Sequence, residues 1–283
     1  MKARGLILVL TFVLSVFAAA GTPKLAFKFK TITVPGALST AIFGVNNAGA
    51  MVGSYVDSSN VLHGFRLVKG KVKTIDNPNG TNTSCLAINK QGWIVGWYVN
   101  SSHNAQGFLY KGGTFSDVSP ANSTGSQAVG INDHGDINGN FGDSNGSHGF
   151  LLKAGKYTTQ DVPGSQGTLG GGINNADQMT EEWLDSTFNV QSSLYKGKKY
   201  TTIDVPGETD SYVSAISNLG DIVYSWESAD AYGGALLHGG KYYKFHVPHG
   251  DRTFGYGIND HHVVVGAYTD TSGILKGYAA TYH

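Results

Sequence analysis

Six of the seven prolines in this chain fall on a single grid. Pro35, Pro78, Pro120, Pro163, Pro206 and Pro248 are separated by 43, 42, 43, 43 and 42 residues, and only Pro23 lies off the beat. Three further markers keep the same register. The first is the tripeptide Gly44-Val45-Asn46, repeated as Ala87-Ile88-Asn89, Gly130-Ile131-Asn132, Gly172-Ile173-Asn174, Ala215-Ile216-Ser217 and Gly257-Ile258-Asn259. The second is an aromatic residue nine positions later: Tyr55, Tyr98, Phe141, Trp183, Trp226 and Tyr268. The third is His63-Gly64-Phe65, repeated as Gln106-Gly107-Phe108, His148-Gly149-Phe150 and, degenerately, Lys276-Gly277-Tyr278. A period of this length marks a repeat architecture, in which each copy is one supersecondary unit that buries its apolar face only against its neighbours.

Each copy reads as four short strands. In the second, Cys85 to Asn89 is apolar and ends in the turn Asn89-Lys90-Gln91-Gly92, where Asn offers a side-chain acceptor and Gly a positive φ. Trp93 to Tyr98 is rich in β-branched and aromatic residues, Gly107 to Tyr110 is a third strand, and Lys111-Gly112-Gly113 is a tight hairpin. A fourth strand, clearest as Tyr200 to Val205, stops at a proline that cannot donate to a ladder. Four strands per unit match a propeller blade. The expected fold is an all-β, six-bladed β-propeller occupying residues 21–283 as one domain. The phase is offset: the chain opens on a fourth-type strand, Phe27 to Val34, and ends on a third-type strand, Lys276 to His283. Pairing these two closes the ring and leaves few raw edges.

The first twenty residues read as an export signal. Lys2 and Arg4 precede an apolar run from Gly5 to Phe17, and Ala18-Ala19-Ala20 offers a small-residue cleavage site. The run is shorter than the ~20 residues that span a bilayer. Cleavage leaves a protein that is extracellular or periplasmic, with no membrane span. Its one cysteine, Cys85, lies in an apolar strand pattern and has no partner for a disulfide. Lys+Arg and Asp+Glu each total 20, which argues against a nucleic-acid binder working by massed phosphate neutralisation.

The Gly44-to-Tyr55 segment, the His63-Gly64-Phe65 site and the strand ending Ile203-Asp204-Val205-Pro206-Gly207 together resemble the HAF family of probable extracellular repeats. The resemblance covers the whole mature chain. Copies four and five depart most: Asp177 and Glu181 replace two glycines, and Gln191-Ser192-Ser193 replaces His-Gly-Phe. It implies an exported bacterial β-repeat protein and implies no reaction.

Three groups of residues carry candidate chemistry. Glu181 stands where Gly53, Gly96, Gly139 and Gly266 stand in other copies; it shares a strand face with Met179 and Trp183 that should pack towards a neighbouring blade, where burial would raise its carboxyl pKa, and with Glu182 and Asp185 nearby it offers an acid/base pair or a cation site, against the alternative of a drifted blade with Glu181 reaching solvent. Thr40, Thr83, Thr168, Ser211 and Thr253 fall five residues after the repeat proline, with only Gly125 breaking the set. They would ring one mouth of the channel, with Arg252 adding charge, and bind sugar hydroxyls or an anion; alternatively each bonds its own loop backbone. Asn46, Asn89, Asn132, Asn174 and Asn259 would circle the axis and could bind an ion or polar ligand there; alternatively each closes its own turn. Ten histidines, including His246 and His249, lack the spacing of a zinc motif, so neither a metal nor a cofactor is expected. No catalytic motif is present. The reading is a monomeric, non-catalytic binding scaffold for a glycan, cell-envelope or protein partner. The alternative is an extracellular enzyme acting on a polysaccharide or small ester.

Overall fold

The computed structural model describes residues 25–229 and 231–283. The export signal read at residues 1–20 lies outside the described residues. Among the described residues twenty-four strands form six antiparallel four-stranded sheets. After β1 (Phe27–Ile32), blade 1 holds β2 (Ser39–Val45), β3 (Met51–Val56), β4 (Leu62–Val68) and β5 (Lys71–Thr74). Blade 2 holds β6 (Thr81–Ile88), β7 (Ile94–Val99), β8 (Ala105–Lys111) and β9 (Thr114–Asp117). Blade 3 holds β10 (Gly125–Ile131), β11 (Ile137–Asp143), β12 (Gly146–Lys153) and β13 (Lys156–Thr159). Blade 4 holds β14 (Gly167–Ile173), β15 (Met179–Leu184), β16 (Val190–Lys196) and β17 (Lys199–Thr202). Blade 5 holds β18 (Asp210–Ile216), β19 (Ile222–Glu227), β20 (Tyr232–His238) and β21 (Lys241–Phe245). Blade 6 holds β22 (Gly250–Ile258), β23 (Val263–Asp270) and β24 (Leu275–Tyr282), and takes β1 as its outer strand. The protein is a six-bladed β-propeller. Among the described residues no helix is long and apolar enough to cross a membrane.

The chain ends meet in blade 6. β1 runs antiparallel to β24 from the Phe27–Tyr282 pair to the Ile32–Gly277 pair, two residues short of the Val34 end that the sequence suggests. Phe27 packs on Phe245 of blade 5, with ring centroids 4.7 Å apart, so the first strand is held by apolar contact as well as by its ladder.

The repeated Gly-Ile-Asn has three separate jobs. The small residue lets inner strands of adjacent blades approach: a Cβ at Gly44 would lie 2.8 Å from the Leu86 carbonyl oxygen, and one at Gly172 would lie 2.7 Å from Ala215 Cα. The Ile is buried. The Asn closes its turn, as the sequence suggests, but does more than that. Asn46 Oδ1 accepts from the Ala48 and Ala50 amides, while its Nδ2 donates to the Asn89 carbonyl of the next blade at 2.9 Å. Asn89 donates likewise to Asn132, Asn132 to Asn174, Asn174 to Ser217, and Asn259 to Asn46. Ser217 keeps the acceptor half of this role, taking the Leu219 and Asp221 amides on Oγ, but has no second N–H to pass on. The ring is therefore open at one step, between blades 5 and 6.

Hydrophobic clusters fill the seams between blades. One joins blades 1 and 2 through Val52, Ile75, Cys85 and Ile94, and others join 2 to 3, 4 to 5, 5 to 6 and 6 to 1. Among the described residues no such cluster spans the seam between blades 3 and 4.

Replacing Ser217 with Asn supplies the missing donor, and chemical denaturation should show a gain of about 0.5–1.5 kcal/mol. Asn89→Ala removes both halves of one link and should cost about 1–3 kcal/mol. An S217N protein no more stable than the parent would mean that the open step is not a missing hydrogen bond.

Candidate functional site

Every inner strand carries a β-bulge. In blade 1 the pairing passes from Ile42–Gly53 to Gly44–Val52, and Phe43 is left over. The same slip frees Leu86, Val129, Ser214 and Tyr256 in blades 2, 3, 5 and 6. A bulge re-aims the extra side chain, and here it points to the axis, where these residues line a cavity of about 300 Å³. Blade 4 differs. Its pairing jumps from Gly170–Glu181 to Ile173–Met179, so Gly171 and Gly172 are both unpaired. Thr180 Oγ1 accepts from the Gly172 amide at 2.7 Å. Gly171 contributes no side chain, so the cavity gains room towards blade 4.

The two walls of the cavity are chemically distinct. On blades 6 and 1, Tyr256 packs on Phe43 with centroids 5.0 Å apart, and Phe254 stacks on Tyr256 at 6.0 Å and 5°. On blades 3 and 4 the lining includes Gln127, Asn140 and Glu182. Below it a smaller hollow of about 80 Å³ is walled by the Asn turns. A second set of hydrogen bonds circles that end: the Asp133 amide donates to Asn175 Oδ1, Asn175 to Asn218, Asn218 to Asp260 and Asp260 to Asn47, all backbone to side chain at 2.7–2.9 Å. The opposite end is bordered by the loops that join blades and those between second and third strands.

The three candidate acids do not come together. Glu181 and Glu182 are consecutive on β15, so their side chains leave opposite faces of the sheet. Glu182 is half-buried in the axial cavity, and burial pushes its carboxyl up to about 7. Glu181 turns into the polar seam with blade 3, where it is 1% exposed rather than in solvent. Its Oε2 has no hydrogen-bond partner, and burial, reinforced by Asp161, raises its pKa well above the ordinary carboxyl value. Asp185 sits on the loop after β15, and its Oδ1 accepts from Thr187 and Asn189, which holds its pKa down. It is a turn-former. An acid/base pair is thus not assembled.

The hydroxyl set faces away from the channel. Thr40, Thr83, Thr168, Ser211 and Thr253 are all buried. Their hydroxyl oxygens accept from the amides of Val34, Asn77, Val162, Val205 and Val247, at 2.8–3.1 Å. Each pins the end of the incoming loop six residues back, and of the two readings of these residues the structure takes the backbone one. In blade 3 Ser126 stands in, accepting from Gly107 and donating to the Val118 carbonyl. Arg252 is exposed and lies over the Tyr232 ring, 4.2 Å from its centroid.

The His of His-Gly-Phe is a loop clamp. His63 Nδ1 meets Asp76 at 2.7 Å and its Nε2 meets Asp57 at 3.2 Å; Asp57 in turn caps the Ser59 and Val61 amides. His148 repeats this with Asp161 and Asp143. Gln191 and Lys276 reach the matching loop acids Asp185 and Asp270. One compact group of ligand-type residues, His134, Asp136 and Asp177, already holds a cation: Lys153 Nζ lies 3.2 Å from Asp136 and 2.6 Å from Asp177.

What sequence reasoning missed is the bulge row, which includes Phe43, Ser214 and Tyr256, and the role of Glu182 rather than Glu181 in the cavity. The small residue that follows each bulge was visible as the first member of Gly-Ile-Asn, but bulging is a property of strand pairing and needs the register.

No protein-family model matches the chain, and no curated protein matches it by sequence. Solved structures do. A mutant of the Aleuria aurantia lectin in complex with alpha-methyl-L-fucoside aligns at 14% identity and a TM-score of 0.54, covering 90% of this chain and 96% of the lectin. The SapL1 lectin in complex with alpha methyl fucoside aligns at 12% identity and a TM-score of 0.58, covering 86% and 93%. A putative TolB from Agrobacterium tumefaciens aligns at 12% identity and a TM-score of 0.61, covering 93% and 99%. At these identities the likeness shows the propeller fold.

Two expectations follow from the placement of these groups. Thr83→Val leaves the Asn77 amide buried and unpaired, and should cost about 1–3 kcal/mol in urea unfolding. Glu181 has a folded pKa above its unfolded one, so its stabilising contribution is complete below the unfolded value of about 4.5 and is lost as pH rises towards the folded value. The stability difference between Glu181→Gln and the parent should therefore grow with pH above about 4.5, by up to about 1.4 kcal/mol per unit. A pH-independent difference would show that Glu181 is ionised in the fold.

Proposed function

We propose that this protein is an exported, non-catalytic binding protein whose ligand is of glycan class and sits in the axial cavity. The observation that carries this reading is the cavity itself, with an aromatic wall of Phe43 and Tyr256 facing an amide-and-carboxyl wall of Gln127, Asn140 and Glu182. A sugar ring has one apolar face of C–H groups and a rim of hydroxyls, and that pairing matches a ring laid on aromatics with amides across from it. The volume of about 300 Å³ is at the small end of ligand sites, enough for one ring rather than a chain. Only one of the three candidate acids reaches the cavity, which removes the motive for a hydrolytic mechanism by two carboxyls. The propeller lectins that share the fold were solved with fucosides bound, which supports a glycan ligand on this architecture. Export rests on the charged start, short apolar run and Ala18-Ala19-Ala20. The HAF-like motifs support the same compartment.

A glycan array probed with the mature protein tests the reading. Retained glycans should be lost, by roughly tenfold in affinity, on Tyr256→Ala or Phe43→Ala, and kept on Thr40→Val. Retention untouched by both aromatic substitutions would move the site off the axis. N-terminal sequencing of the exported protein should begin at or near Gly21; a chain still starting at Met1 would refute export by a cleaved signal.

A further inference from the structure

Among the described residues Glu182 is the one carboxylate on the cavity wall, and no base lies there. No Lys, Arg or His lines the cavity, and among the described residues Glu182 has no ion-pair partner. Buried and half-buried acids elsewhere have visible partners: Asp136 has Lys153, Asp221 has His238 and Asp270 has Lys276, while Asp204, Asp210 and Glu227 accept hydrogen bonds from the Ser192 amide, the Val190 amide and the Tyr232 hydroxyl. Arg252, a basic side chain in the last blade, is committed to Tyr232, whose hydroxyl donates to Glu227. A half-buried carboxyl without a counter-ion costs stability, and nothing in blade 4 uses it. It faces, across a gap widened by Gly171, two aromatic rings whose π-faces attract cations.

We infer that the axial cavity selects a ligand ring bearing an ammonium group, an amino sugar in its free-amine form, with the ammonium set against Glu182 and the ring face on Phe43 and Tyr256. This rests on the reading of the cavity as a glycan site and narrows it to a cationic member of that class. The ammonium replaces the missing counter-ion. The titratable groups that face Glu182 are Tyr212 on β18 and Tyr256 on β22, both held neutral well above physiological pH, their hydroxyls pushed up to about 12 chiefly by burial. Asp210 and Glu227 lie beyond Tyr212 and add negative potential of the same sign. With its carboxyl near half-protonated at neutral pH, Glu182 must release a proton when the cation binds. Affinity should fall as pH drops through about 7, and the amine must itself remain protonated.

Isothermal titration of the mature protein with methyl glucosaminide, methyl N-acetylglucosaminide and methyl glucoside tests the inference. The free amine should bind at least about tenfold more tightly than either neutral probe. Its binding at about pH 6, where the free amine is already cationic and only Glu182 has a proton to lose, should release a proton, read from buffers of different ionisation enthalpy. Glu182→Gln should abolish that preference and the proton release, with melting temperature equal to or above the parent's. Ser214→Leu, which places in blade 5 the side chain that blade 2 has at this position, should block all three probes by filling the cavity. Equal affinity for the three probes, with loss on Ser214→Leu, would overturn the cationic preference and leave the glycan site standing. A preference for the amine that survives Glu182→Gln would overturn the role of Glu182. Binding of none of the probes would overturn both.

Discussion

The asparagine that ends five of the six inner strands joins local and global order in one side chain. Its oxygen closes a four-residue turn inside the repeat, and its nitrogen reaches the carbonyl of the same residue one repeat on. A turn alone would give hairpins; the outward donor fixes how far apart successive hairpins sit. Each of the five links copies the same displacement, and the last brings Asn259 back to Asn46, with the step from Ser217 made without one. The small residue two positions earlier is the steric condition for that link, because inner strands must come within backbone contact before the amide can reach across. Repeat period, blade angle and axial channel all follow from this contact.

Much of the fold was legible because repetition converts weak signals into strong ones. Four strands per unit, six units, and an N-terminal strand left over for the last blade can be counted from Pro35, Asn46, Tyr55 and Phe65 and their equivalents. The Asx role of Asn46 was legible for the same reason. Its second hydrogen bond was not, since it joins residues 43 apart that only the ring brings together. The threonines illustrate a different limit. Regular spacing identified Thr40 and Thr253 as a set, yet spacing carries no information about which side of a strand end a hydroxyl faces. They turned out to hold loop backbone, as a residue required in every copy by folding would. Glu181 and Glu182 show the converse. Alternation placed Glu181 with Met179 and Trp183 towards a neighbouring blade, where it lies, but the same alternation sends its ordinary-looking neighbour Glu182 into a cavity that only the ring creates.

Blade 4 is where the symmetry fails, and its irregularities form one connected set. Glu181 fills a position that is glycine in four blades, the ladder pair after the bulge beside it is missing so that Gly171 and Gly172 stand against Thr180, and Gly170-Gly171-Gly172 supplies the freedom this needs. On the other side of the sheet the same blade lacks the hydrophobic cluster found in five seams; Asn138, Glu181 and Ser193 are buried there with polar atoms unpartnered. This seam is the least stabilised part of the ring, because each unpaired buried group costs on the order of 1–3 kcal/mol. The ring tolerates it because closure holds the blades on either side.

A ring of six identical blades would produce a channel with the same side chain on every wall, and such a channel can distinguish size but not orientation. Function that depends on recognising a particular face of a ligand requires the repeats to differ. Here the differences are not spread evenly. Aromatics collect on blades 6 and 1, amides and the single carboxyl on blades 3 and 4, and the glycine that opens the space between them on blade 4. These lie across the axis from one another, so a ligand between them meets two unlike surfaces at once. The stability lost in the seam of blade 4 and the asymmetry gained in the cavity come from the same short strand, Met179–Leu184, whose alternate residues serve the two sides. Restoring the consensus glycine at Glu181 would repair the seam without touching the cavity, whereas any repair at Glu182 would erase the one charge that distinguishes the two walls.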